Sequence, residues 1–295
     1  MSAPDYDDRD PLARLLERFA LAAVAPDRFE ARAMNGMRRL FGGLIAAQSA
    51  MAAMRTAPEA RLHSLHGYFL RAGRSGVPLH FEVTRLRDGI SFAARRVVAR
   101  QGSEAIFELL ASFTDRETGI AHAHEPPAAE ALATDPASLP DWESVRSRET
   151  GEAPRAPDAV EVRVVRAEDD RPDASAPPHR AVWMRARGPV PADPALHAAL
   201  LVYATDRTLL RTAARLHGGM RDRLPASLDH AVWLHRAPGV DFRMDDWILY
   251  ASETPIASGG RALVQGRMLT RDGMRVATVV QEGLLRRRAG DRSRS

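Results

Sequence analysis

Asp206, Ser227 and Gln281 are polar residues at element boundaries, of types that can handle a proton or a water. A carboxylate accepts a proton, a hydroxyl donates and accepts, and an amide does both at once. Each also has a plainer reading. Asp206 follows an apolar run and precedes an amphipathic segment, Thr208–Leu216, where an aspartate commonly caps a helix N-terminus. The two roles are compatible, because N–H groups at a helix start keep a carboxylate ionised. Gln281 closes Val276-Ala-Thr-Val-Val-Gln281 and by alternation shares a face with Val279 and Ala277. It is either a strand-end amide facing solvent or a buried amide whose two ends both need partners. Ser227 reads first as a turn residue before a strand. Asp229 and His230 nearby suggest a nucleophilic triad, but no Gly-x-Ser-x-Gly elbow surrounds Ser227. In a regular strand, moreover, Ser227 and Asp229 face one way and His230 the other. His63, His66, His230 and His235 lack the spacing of a metal site and no His-Glu-x-x-His occurs. They read as packing or hydrogen-bonding residues, with no metal; Phe69 and Trp233 read as core.

The elements that must carry these residues repeat. Arg96–Leu110 reads as strand, glycine turn, strand, and so does Arg267–Gln281. Arg96 to Arg267 and Gly102 to Gly273 stand at the same offset. Upstream, His63–Arg71 answers Ser227–Arg236. A repeat of this size implies two copies of one domain-sized unit. The copies differ where the first has Leu110 and the second Gln281, which points to the second half as the working one.

In the first half, Pro11–Ala25 reads as an amphipathic helix with Leu12, Leu15, Leu16 and Phe19 on one side. Phe29–Arg32 reads as a short strand. Gly42-Gly43 opens an apolar helix, Leu44–Met54, and strands follow over 62–70, 79–87, 91–100 and 104–113. In the second half, Val160–Val165 and Ala181–Arg187 precede a strongly apolar run, Leu196–Ala204. Thr208–Leu216 reads as the helix, with Arg207, Arg211 and Arg215 along a separate face. Strands close the half over 227–235, 247–253, 258–270 and 275–284. Between the halves, prolines at 126, 127, 136, 140, 154 and 157 indicate linker and surface loop; a second loop runs over 168–179. The expected division is 1–121, a linker at 122–158, and 159–295. Each half is thus a helix followed by an antiparallel meander. A curved sheet wrapped around a buried helix satisfies that pattern, giving an α+β tandem double hotdog.

Composition narrows the function classes. The 42 basic residues are all arginine and stand against 38 acidic ones, for a net charge of +4. The arginines are scattered rather than gathered with aromatics, which argues against nucleic acid; Arg286-Arg287-Arg288 reads as a solvated tail. There is no cysteine, hence no thiol nucleophile and no disulfide. No apolar stretch approaches the roughly 20 residues that span a bilayer, and the start is acidic and polar. The expectation is a soluble cytoplasmic protein with no cofactor.

The ordered ensemble of motifs resembles the acyl-CoA thioesterase II family. It comprises His63-Ser-Leu-His-Gly-Tyr-Phe-Leu-Arg71, Leu86–Val98, Tyr203-Ala-Thr-Asp206, Ser227-Leu-Asp-His230, Trp233-Leu-His-Arg236 and Val280-Gln-Glu-Gly283. The resemblance runs from about Arg38 to Leu285, excluding the linker. It implies a double hotdog that hydrolyses acyl-CoA to a carboxylic acid and CoA, and a homo-oligomer, dimer or tetramer. It also implies that Asp206, Ser227 and Gln281 hold and activate a water, with Asp206 as base and a backbone N–H of the second-half helix near the oxyanion. Two positions depart from the family. Ser227 stands where threonine is common, and Leu44 where a glutamine commonly follows the two glycines. Gly42-Gly43 would let N–H groups approach a thioester carbonyl or phosphate, or simply let helix and sheet pack closely. The rival readings are a hotdog enoyl-thioester hydratase, disfavoured because no histidine follows Asp206 until His217, and an inactive acyl-CoA- or lipid-binding protein.

Overall fold

The computed structural model describes residues 10–34, 39–114, 119–120, 122–123, 129–166, 173–220, 223–235 and 242–287. Helix α1 (Pro11–Phe19) starts at Asp10, whose carboxylate accepts from Leu12 N at 3.2 Å, and buries Leu12, Leu15 and Phe19. It is shorter than expected. Ala22–Ala25 forms strand β1, which turns at Pro26-Asp27 and pairs with β2 (Arg28–Ala31). Alanine is compatible with either state, and here the Pro-Asp turn decides for a hairpin. Helix α2 (Gly42–Met54) is buried from Gly43 onward, as a helix without a polar face must be. Strands β3 (Arg61–Phe69), β4 (Leu79–Asp88), β5 (Phe92–Gln101) and β6 (Glu104–Thr114) follow as expected.

The Pro-rich segment is more ordered than a linker. It contains α3 (Ala129–Leu132) and α4 (Trp142–Thr150). Helix α4 is capped by Asp141 and closed by Gly151 at φ 71°. Trp142, Val145 and Arg146 are buried. Ala131, Leu132 and Leu139 cover a separate cluster of Trp183, Trp247, Leu249 and Leu269.

The second half comprises β7 (Val160–Val164), β8 (His179–Ala186), α5 (Pro194–Thr205), α6 (Leu209–Ala214), β9 (Arg223–Ser227), β10 (Asp229–Leu234), β11 (Ile248–Ser258), β12 (Arg261–Leu269) and β13 (Arg275–Arg287). Its central helix is α5, formed by the apolar run, and not the expected Thr208–Leu216 segment. That segment is the short α6 and a single 3-10 turn over Arg215–His217, ended by Gly218 at φ 87°. Its arginines are not a solvated face. Arg211 and Arg215 are buried; Arg207 and Arg211 lie over the Trp142 ring at 5.6 and 5.5 Å, and Arg211 pairs with Glu149. Strand β13 extends to Arg287 against β9, so Arg286 and Arg287 belong to the sheet; Arg288 lies outside the described residues.

All strands pair antiparallel in one sheet, ordered β1-β2-β4-β5-β6-β3-β10-β13-β12-β11-β8-β7 with β9 on β13. Read outward from the β3–β10 junction, the two halves have the same order, which is the internal repeat in structural form. The junction sets Leu65 opposite Val232 and Gly67 opposite His230. Helices α2 and α5 pack against each other inside the curve. The repeat slips at one expected equivalence. Leu110 is 53 % exposed on the outer face, whereas Gln281 is fully buried on the inner one. The hairpin between Val97 and its partner Leu109 is longer by an odd number of residues than that between Met268 and its partner Ala277. An odd difference exchanges the faces. Trp233, expected in the core, also lies outward and is 41 % exposed.

Candidate active site

The structure brings Asp206, Ser227 and Gln281 into direct contact. Ser227 Oγ donates to Asp206 Oδ1 at 3.0 Å, and Gln281 Nε2 donates to the same oxygen at 2.9 Å. Gln281 Nε2 also donates to Ser227 Oγ at 2.6 Å.

Each residue arrives by a different route. Gln281 lies on the inner face of β13 with Val279 and Ala277, as alternation requires. Asp206 does not cap the helix that follows it. It is the C-terminal cap residue of α5, so its carboxylate sits at the negative end of that helix's dipole. The N–H group that serves it comes instead from Gly43, at the start of α2 in the other half. Of the two readings of the glycine pair, the structure bears out close packing. A Cβ on Gly42 would lie 2.9 Å from Asp206 Oδ2, and one on Gly43 2.7 Å from the Tyr203 carbonyl oxygen. The backbone approach is close, and it is made to a carboxylate.

Ser227 and His230 point the same way, contrary to simple alternation. Ser227 pairs with Gly283 while Ala231 pairs with Val280. One extra residue thus sits on the β9–β10 side, a bulge at Leu228. Leu228 spends its N–H on Glu282 O and its C=O on Phe69 N. The bulge turns Asp229 outward, where it accepts from Glu282 N at 2.7 Å and lies 3.1 Å from His66 Nε2. It turns His230 inward, where Nδ1 is 2.9 Å from Gln281 Oε1 and Nε2 is 2.8 Å from Thr205 Oγ1. His230 is fully buried and touches the cluster through Gln281, not through Ser227. Residue types alone leave it among ordinary hydrogen-bonding histidines, because a bulge at Leu228 leaves no mark in them. The other three histidines bond elsewhere: His63 to Ser112, His66 to Asp229 and His235 to Thr278.

Burial dominates the electrostatics. Removal from water pushes the Asp206 carboxyl above the usual carboxylate range, opposed by His230, Gln281, Ser227 and the Gly43 N–H. The same burial holds the His230 imidazole below its ordinary value. Tyr250, whose hydroxyl donates to Thr205 O at 3.1 Å, is pushed well above the phenol range.

A cavity of about 570 Å³ lies against the ends of α2 and α5, though none of Asp206, Ser227 and Gln281 lines it. Phe41 and Leu44, flanking Gly42 and Gly43, line it together with Tyr203 and Arg207, flanking Asp206. Trp142 and Pro154–Asp158 form another wall, so part of the Pro-rich segment bounds this cavity. Phe41 and Tyr203 meet edge to face at 5.2 Å, and the Tyr203 hydroxyl donates to Asp158 at 2.9 Å.

The fold is the double hotdog. A hot-dog-fold protein from Alicyclobacillus acidocaldarius, 22% identical, superposes with a TM-score of 0.74 over 94% of this chain and 99% of its own. The acyl-CoA thioesterase family matches residues 158–284, and the acyl-CoA thioesterase N-terminal domain matches residues 30–114. Acyl-CoA thioesterase II TesB2 from Mycobacterium marinum is 38% identical, with a TM-score of 0.77 over 94% of this chain and 98% of that one. Acyl-CoA thioesterase 2 of Haemophilus influenzae is 34% identical over 258 residues, 85% of this chain and 89% of that protein. Acyl-coenzyme A thioesterase 8 of mouse is 35% identical over 84% of this chain and 81% of its own. The chain belongs to the acyl-CoA thioesterase II family and is an acyl-CoA thioester hydrolase.

Proposed function

We propose that Asp206, Ser227 and Gln281 hold the water that attacks the thioester carbonyl of acyl-CoA. The observation that carries this reading is a buried carboxylate on which a hydroxyl, an amide and a backbone N–H converge. Asp206 takes a proton from the water as its oxygen bonds to the carbonyl carbon. The tetrahedral intermediate then collapses, the C–S bond breaks and the CoA sulfur leaves with the proton. The products are the carboxylic acid and CoA. Gln281 and Ser227 fix the carboxylate and the water, so the orientation is set before reaction. The end of α5 at Asp206 presents carbonyl groups, so the developing oxyanion has to be met by donors other than that helix. The start of α2 supplies N–H groups there, and donors aimed at the developing charge are worth most in a dry site. The cavity lined by Phe41, Leu44, Tyr203 and Arg207 is the space proposed to receive the substrate.

The test is thiol release from acyl-CoAs of graded chain length. The protein has no cysteine, so a thiol reagent reports only CoA. Turnover that disappears in Asp206→Asn supports the assignment; near-wild-type turnover in that variant removes Asp206 from the reaction. We also propose that the protein is a homo-oligomer. Tyr68, Leu110 and Trp233 are exposed on one outer sheet face, where Leu110 stands opposite His66 and Trp233 opposite Ser64. Light scattering after size exclusion tests it, and a monomer at all concentrations overturns it.

A further inference from the structure

We infer that His230 is a positioning residue of this site, acting on Asp206 through the Gln281 amide. The inference rests on the proposed roles of Asp206 and Gln281.

The chain of bonds is short and wholly buried. Gln281 Oε1 can only accept, so the contact with His230 at 2.9 Å requires a proton on Nδ1. Gln281 Nε2 then has both its protons free for Asp206 Oδ1 and Ser227 Oγ. On the far side of the ring, Nε2 can accept from Thr205 Oγ1 at 2.8 Å, a hydroxyl that also lies 2.8 Å from Val202 O. Thr205 is the last residue of α5 and immediately precedes Asp206. The imidazole is thus held at one edge by the helix that carries the carboxylate, and at the other it holds the amide that serves it.

This arrangement does two things. It gives the amide carbonyl, buried at 0 % exposure, the partner it would otherwise lack. It also polarises the amide, so that the Nε2–H groups become stronger donors to Asp206. The burial of Asp206 opposes its ionised form, and that donor strength offsets part of the cost. The ionisable groups facing this pair are few. Asp206, Asp229 and His66 act on His230, and His230 and Tyr250 lie near Asp206.

Two experiments test the inference. The first reads the wild-type protein alone, by nitrogen–proton correlation of ¹⁵N-histidine, with His230→Asn identifying the resonance. A proton on Nδ1 is expected; a bare Nδ1 with the proton on Nε2 overturns the inference whatever the enzyme's activity. The second compares His230→Leu, which removes the donor, with His230→Asn, whose amide restores an N–H toward Gln281. His230→Leu is expected to lower kcat by on the order of 10²-fold, as misplacing a reacting group by ~1 Å does. KM should be nearly unchanged and the acid limb of kcat/KM should move to higher pH. His230→Asn is expected to recover most of kcat and the wild-type limb. A folded His230→Leu with wild-type kcat and limb overturns the positioning role. If His230→Leu does not fold, His230→Asn decides by the position of its acid limb, together with the tautomer. A wild-type protein that releases no CoA from any acyl-CoA sinks the reading of the trio instead, and the tautomer still reports on the bond itself.

Discussion

Gly43 and Asp206 belong to opposite halves of the repeat, yet the backbone N–H of the first favours the charged form of the second's carboxylate. The three polar side chains of the site all come from the second half, but the half without them supplies a donor. The space for that approach depends on the missing Cβ. On Gly43 it would meet the Tyr203 carbonyl oxygen at 2.7 Å and the Phe41 ring at 2.7 Å. A glycine-to-alanine change in a helix ordinarily adds about 0.5–1 kcal/mol of stability. Here it must push α2 away from α5. Gly43→Ala is therefore expected to lower Tm and to reduce kcat together, measured by thermal unfolding and CoA release. A gain in Tm would show that the helices separate without cost.

Asp206 also makes stability depend on pH in an unusual direction. Burial raises its folded-state pKa above the unfolded value of 3.8. Between those two values the native state binds more protons than the unfolded one, so stability falls as pH rises through the window. Asp206→Asn removes that loss. The variant is expected to be more stable than wild type at pH 7, with the difference shrinking toward pH 4, while kcat drops by roughly 10² to 10⁴. His230 acts at the other end. Its folded-state pKa lies below the unfolded 6.5, so the unfolded state takes up the proton first and stability falls as pH drops below about 6.5. His230→Asn should flatten that limb. Denaturant midpoints from pH 4 to 8 read all three proteins.

Ser227 both accepts from Gln281 and donates to Asp206. The chemistry requires the hydroxyl and not the serine as such. Ser227→Thr is expected to keep kcat within about threefold, because a hydroxyl on the same carbon makes the same bonds. Ser227→Ala should cost about 1–3 kcal/mol in transition-state stabilisation, the usual effect of leaving a buried partner unmet. Equal turnover in Ser227→Ala and wild type would show that the hydroxyl serves only the turn.

Much of this was legible in the residues. The strands β3 to β6 fall within a residue of their expected positions because their alternation and glycine turns are local signals. The inner-face placement of Gln281 also follows from alternation. What escaped depends on contacts between distant segments. The apolar run Leu196–Ala204 has no periodic face, so nothing in it marks a helix over a buried strand until α2 is packed beside it. Asp206 looks like the start of the next helix because aspartate is a strong N-cap residue and is disfavoured at the helix C-terminus, where it in fact sits. The bulge at Leu228 is set by the pairing of β9 and β10 with β13, and without it His230 cannot be placed facing Gln281. The Pro-rich segment reads as loop because proline count outweighs the short Trp142–Thr150 pattern.

That segment gives the last expectation. Trp142 is buried, supports Arg207 and Arg211 on its ring, and lines the cavity together with Tyr203 and Arg207. A surface linker would tolerate its loss. A packed wall would not, because Arg207 and Arg211 are largely buried and pair with Asp158 and Glu149 of the same segment. Trp142→Ala is expected to destabilise the protein by about 3–5 kcal/mol, the range for removing a large buried aromatic. Trp142→Phe keeps the ring and should recover most of that stability. If the segment bounds the bound thioester, Trp142→Phe should retain the wild-type fold but change the chain-length profile of KM. Unchanged KM values across the acyl-CoA series would place the substrate on another side of the site.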